Sequence, residues 1–146
     1  MVGRVPIRSR VIRGYRRADE PADAWMGVTP FDQLPTELDP PRGWIASANN
    51  PPAPRDYSVP LYGAYADGYR MRRIRALLES KPSFTLEDMG WFQFDAYLQR
   101  AADTCPSLIR IIGERTHSNI ERAAIEALRR WDFQFDVDRV GASVYQ

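Results

Sequence analysis

From residue 62 onward the apolar positions recur at helical spacing, and before Pro60 they do not. Ala66, Arg70, Ile74, Leu77 and Leu78 fall at i, i+4, i+8, i+11 and i+12, which predicts a helix over residues 62–79 with these side chains on one face. Thr85 followed by Asp88 is a capping box, and it predicts a second helix running through Trp91, Phe94, Tyr97 and Ala101. Pro106 is suited to the first turn of a helix, so a short third helix is expected from there to Ile112, ended by Gly113. Ser118 with Glu121 caps a fourth helix whose apolar stripe is Ile120, Ala123, Ala124, Leu128 and Trp131. Residues 132–146 carry no closing signal, and the chain reads there as cut short.

The first 60 residues have a different texture. Most of the 12 prolines lie in them. Short strand-like pieces at 4–8, 10–13 and 44–48 alternate with turn chemistry such as Asp39-Pro40-Pro41-Arg42-Gly43. Val5, Ile7, Val11 and Ile12 interleave with arginines as in a half-exposed strand pair. The expected fold class is therefore α+β: a strand and loop segment over residues 1–60, then a bundle of about four helices over residues 61–146.

Composition narrows the function classes. The chain has 146 residues, the length of one ordinary domain. Its 20 basic and 19 acidic residues nearly cancel, which argues against a polyanion binder overall. The arginines are uneven, however: Arg4, Arg8, Arg10, Arg13, Arg16 and Arg17 precede the first acid, Asp19. A small helical interaction module whose N-terminal arm binds anionic partners is the alternative reading that follows. No apolar run approaches the ~20 residues that span a bilayer, and the start lacks the apolar stretch of a secretory signal. Cys105 is the single cysteine, so no intrachain disulfide forms. With His117 it makes no metal cluster, and a thiol enzyme would need those two side chains within hydrogen-bond reach.

The chemistry of interest lies between Gly43 and Leu78. A strand over 44–48 would deliver Asn49 and Asn50 just before Pro51-Pro52, and proline biases the residue before it towards extended geometry. A side-chain amide donates hydrogen bonds without titrating, which suits it to the oxyanion of a tetrahedral intermediate. The plainer reading is a turn, which Asn and Pro favour for local reasons. Arg70 shares the stripe of Ile74, Leu77 and Leu78, whereas Arg72 and Arg75 point away from it. An inward guanidinium must find partners, and it could hold a neighbouring asparagine in place.

Read together, GWIASANN from Gly43, GYRMRRIRALL from Gly68, the Thr85–Asp95 stretch beginning TLEDM, and ALRRWD from Ala127 resemble the penicillin acylase (penicillin amidase) family. GRVPIR from Gly3 and WMGVTPFDQLP from Trp25 look like the same family's approach to this segment, so the resemblance covers nearly the whole chain. It implies a piece of an αββα N-terminal-nucleophile hydrolase, in which a serine exposed by self-cleavage attacks an amide. The serine's own α-amine, with a pKa near 8, would act as the base. By the same resemblance Asn49 is the side-chain oxyanion donor and Arg70 supports the active site. The nucleophile is expected outside this chain, which begins Met1-Val2, and the isolated polypeptide is expected to be inactive. Expected partners are a small N-acyl substrate and the remainder of the acylase chain or chains, with neither nucleic acid nor membrane. No cofactor is implied here; a calcium-ligating aspartate of the family falls near Pro60, which cannot replace it.

Overall fold

The computed structural model describes residues 4–9, 14–61, 63–113, 115 and 118–146. It divides into two compact units, Met1–Gly68 and Tyr69–Gln146. Among the described residues the fold is α+β, with one two-stranded antiparallel sheet and five α-helices.

In the first unit β1 (Pro6–Arg8) pairs with β2 (Trp25–Val28) in the register Pro6 to Val28, Ile7 to Gly27 and Arg8 to Trp25, with an irregularity between Ile7 and Arg8. Proline is tolerated at the first position of a strand, where its missing N–H costs least. The ladder continues as the Thr29 amide donates to the Val5 carbonyl at 2.8 Å. Asp23, buried in a short 3₁₀ turn, accepts from the backbone N–H of Arg17 at 3.2 Å. Leu34 and Thr29 are buried with it. The expected strand at 10–13 lies outside the described residues. Among the described residues, the expected strand at 44–48 joins no sheet, and prolines lacking N–H groups follow closely. The partner of β1 is instead Trp25–Val28, whose unbroken apolar run with a glycine hides the alternation that marks a strand.

The second unit comprises α1 (Tyr69–Leu78), α2 (Leu86–Gln93), α3 (Gln99–Gly113), α4 (Asn119–Arg130) and α5 (Val140–Tyr145). Its core is Ala101, Cys105, Leu128, Trp131 and Ala142, covered by Leu98, Ile109, Phe133 and Tyr145. Ala101 and Cys105 are one helical turn apart, and their small side chains let α3 approach the Leu128–Trp131 end of α4 closely. Between the helices, Tyr97 bridges antiparallel to Gln134, with Leu98 donating to the Phe133 carbonyl and Phe135 to that of Ala96, both at 2.8 Å.

Both expected capping boxes are present, at Thr85/Asp88 and Ser118/Glu121. Several boundaries differ. Helix α1 starts at Tyr69 rather than residue 62, because Gly63 and Gly68 disfavour helix and the Ala66 amide is already committed to the Asn49 carbonyl at 2.8 Å. Helix α2 stops at Gln93, so Tyr97 and Ala101 belong to the bridge and to α3. Pro106 does not open a helix but lies inside α3. An interior proline costs about 3 kcal/mol, and the helix continues through it with Ala101 and Cys105 buried in the core. In α4 the buried face is Ile125 and Leu128, whereas Ile120 is 83% exposed. Residues 132–146, where no element was expected, hold α5, which packs on α4 through buried Gly141 and Ala142.

The α2 cap carries a pH dependence. Asp88 is pulled down to about 2, first by the hydrogen bond from Lys81 and then by the Thr85 backbone N–H, which donates at 2.7 Å. A carboxylate lower in the folded state stabilises above its unfolded value of 3.8, and that contribution disappears as pH falls towards 2. Asp88→Asn should therefore lose stability at pH 5 and show a shallower acid dependence between pH 4 and 2 than the parent. Thermal melts across that range would read it, and equal acid slopes would refute it.

Candidate functional site

The segment that carries Asn49 is built from a stapled turn. The Gly43 amide donates to the Pro40 carbonyl at 2.8 Å, and Gly43 takes φ +76°, a left-handed value that glycine adopts without strain. Arg42 closes the outside: its Nε donates to the Trp44 carbonyl at 2.9 Å, its guanidinium lies 4.7 Å over the Trp44 ring, and it pairs with Glu37 at 2.5 Å. The chain then runs to the two asparagines, which the structure treats differently.

Asn50 is spent on its own neighbours. Its Oδ1 accepts from the Ala48 amide and its Nδ2 donates to the Pro51 carbonyl, both at 3.0 Å. This is the local turn chemistry that asparagine favours. Asn49 instead sits at φ +60°, a left-handed conformation that asparagine tolerates better than most residues. Its backbone carbonyl is fixed by the Ala66 amide at 2.8 Å. Its side chain is exposed, and its amide makes no hydrogen bond to another described residue. The arrangement is an anchored backbone presenting one uncommitted neutral donor.

Arg70 belongs to the other unit, in the first turn of α1. It is exposed and has an interaction of its own, so the inward orientation read from the stripe is corrected. The arginine that turns inward is Arg73, with Ile74, Leu77 and Leu78 partly buried along the same helix. Its guanidinium donates twice to Asp95, Nε to Oδ2 at 2.8 Å and Nη2 to Oδ1 at 2.6 Å, and lies 4.4 Å over the Tyr97 ring. The Asp95 hydrogen bond raises the Arg73 pKa further. The sequence signal was available: Arg73 stands four residues before Leu77 and beside Ile74, so the apolar stripe admits it as readily as Arg70.

Cys105 lies in the core of the helical unit, fully buried, and burial pushes its thiol pKa up, away from the thiolate that a nucleophile requires. His117, its proposed partner, lies outside the described residues. Of the N-terminal arginines, Arg8 donates to the Asp23 carbonyl at 3.4 Å and lies 5.7 Å over Trp25, and Arg17 pairs with Asp19 at 2.6 Å. Arg10 and Arg13 are outside the described residues. Among the described residues, no group of three or more His, Cys, Asp or Glu is arranged to hold a metal ion. No described helix is long and apolar enough to cross a membrane.

The family model described as penicillin amidase matches residues 1–146. Among curated proteins, the chain is 33% identical over 116 residues to penicillin G acylase from Escherichia coli, covering 74% of this chain and 13% of that protein. It is 27% identical over 121 residues to penicillin acylase 2 proenzyme from Pseudomonas sp. (strain SE83), covering 83% of this chain and 15% of that protein. The chain thus spans a small part of the length of the curated relatives it matches. No solved structure matches.

Proposed function

The chain belongs to the penicillin amidase family, and from that premise we propose that these residues form the oxyanion-side segment of an amidohydrolase. The reaction is hydrolysis of linear amide C–N bonds in small N-acyl compounds. Acyl side chains of β-lactam antibiotics and acyl-homoserine lactones are the substrate classes to try. The segment would belong to an αββα N-terminal-nucleophile core, whose remainder is its partner. One observation carries the reading: of the two asparagines before the prolines, Asn49 is the one whose amide is not consumed by its own turn.

In this scheme a serine hydroxyl supplied from outside these residues attacks the amide carbonyl. Its proton passes to the serine's α-amine, and the carbonyl oxygen becomes an oxyanion. Asn49 Nδ2 donates to that oxygen. Being neutral, it does so without a pH requirement of its own. Collapse breaks the C–N bond, the protonated α-amine gives its proton to the departing amine, and water resolves the acyl-enzyme by the reverse sequence. Arg70 supports the active site from the first turn of α1. No cofactor takes part in these steps, and calcium ligation is not assigned to this segment.

Because the chain corresponds to 13% and 15% of the relatives it matches, the 146-residue polypeptide by itself is proposed to be inactive. Purified chain incubated with a phenylacetyl anilide should release no aniline above the buffer rate. Sustained release that scales with protein concentration would overturn this.

A further inference from the structure

We propose that Arg73 and Asp95 form the latch that sets the rotation of α1, and that they thereby act as positioning residues for Arg70. The inference rests on the role given to Arg70 above, but its structural half stands independently. Helix α1 has no fully buried residue; Ile74, Leu77 and Leu78 are half-buried. Apolar packing of that kind resists separation of a helix from its neighbours but defines its rotation poorly, because half-buried aliphatic chains can exchange contacts at small cost. A planar guanidinium bonded through two nitrogens to both oxygens of one carboxylate has a single geometry.

Arg73 makes that bond to Asp95 at 2.8 and 2.6 Å, with side chains 26% and 16% exposed, and the Tyr97 ring covers one guanidinium face at 4.4 Å. The anchor is itself fixed. Residues 95–98 are tied to residues 133–135 by the Tyr97–Gln134 bridge and the two 2.8 Å backbone bonds, and Trp131 of the core donates its indole N–H to the Gln134 carbonyl at 2.8 Å. The neighbouring Arg72 also reaches across, to Asp103 on α3, but these side chains are 53% and 31% exposed, where solvent weakens an ion pair. Arg70 precedes Arg73 by three residues, so the two share one helical turn. Whatever rotation Arg73 adopts, Arg70 inherits.

Arg73→Lys keeps the charge but loses both the fork and the planar group that lies over Tyr97. Residual dipolar couplings of backbone N–H and Cα–Hα bonds in the 146-residue chain report both the direction of a helix and its rotation about its own axis. In R73K the Tyr69–Leu78 couplings should no longer fit the alignment tensor of α3–α5, while α3–α5 remain self-consistent. The milder Asp95→Asn, which keeps one acceptor oxygen, should shift α1 in the same way if R73K folds poorly. Couplings of α1 that still fit the parent tensor in the folded variants overturn the latch. In a catalytically active acylase polypeptide carrying this segment, R73K should lower kcat by roughly 10- to 100-fold with KM little changed. Adding R73K to Arg70→Ala should then cost nothing more. Multiplying losses would overturn the action through Arg70. Full activity of R70A would remove the role of Arg70 while the couplings still decided the latch.

Discussion

Gly141→Ala is expected to destabilise the helical unit by about 3 kcal/mol or more, and to lower its melting midpoint by roughly 10–20 °C. A Cβ built at Gly141 would lie 2.4 Å from Trp131 Cβ, 2.5 Å from Trp131 Cγ and 3.0 Å from the Ala127 carbonyl oxygen. Overlaps of that size are usually relieved by moving the far end of a flexible side chain. Here the atoms met are the root of a tryptophan and a helix carbonyl, neither of which can turn aside.

The tryptophan is held besides by Phe133 and Tyr145, at ring distances of 5.4 and 5.6 Å, and by its indole bond to Gln134. Relief must therefore come from moving α5 off α4, which opens the core around Ala142. Gly90→Ala is the matched control. It lies inside α2, its Cβ meets nothing within 4 Å, and it should stabilise slightly, by about 0.5–1 kcal/mol. Far-UV circular dichroism melts of the two variants would test the pair. A G141A midpoint within a few degrees of the parent would show that α5 can move off Trp131 at little cost.

That contact also shows where sequence reading stops. The caps at Thr85 and Ser118 were legible because a capping box is a local device: two side chains and two backbone amides within four residues. Helix α5 was not, since Val140–Tyr145 has no capping side chain and is too short for a stripe. It exists because Gly141 and Ala142 fit beneath Trp131, a tertiary contact that periodicity does not encode. Pro106 failed for the same reason in reverse. Its local preference is for a first turn, and the packing of Ala101 and Cys105 overrode that preference. In α4 two interleaved sets of apolar residues competed, and the position of the core chose Ile125 over Ile120.

The candidate site divides along the same line. Asn-Asn-Pro-Pro marks a turn from sequence alone, but which amide the turn consumes depends on the backbone sign at Asn49. Arg70 and Arg73 both lie close enough to the stripe for periodicity to admit either. Asp95 and Tyr97 decided between them by offering Arg73 a carboxylate and a ring. Charged residues on a half-buried helix are placed by partners far along the chain, whereas apolar ones follow the period.

Asn49 carries the second large expectation. In a catalytically active acylase polypeptide containing this segment, Asn49→Gly should lower kcat by about 10²–10³-fold, the usual consequence of losing one oxyanion donor. Glycine is the informative replacement because it accepts the φ of +60° without strain and removes the amide alone. Alanine would remove the donor and also strain the turn, so its loss could not be assigned. Asn49→Asp preserves shape but sets a carboxylate opposite the developing negative charge, and it should be at least as impaired as N49G. Asn50→Ala separates the neighbours: it breaks the bonds to Ala48 and Pro51, so it should loosen the segment while leaving the donor in place. KM for N49G should change little, because the bond strengthens only as the carbonyl oxygen gains charge. Steady-state kinetics on an acyl anilide would decide. An N49G enzyme within about threefold of the parent kcat, where 10²-fold is expected of a lost donor, would remove Asn49 from the oxyanion hole.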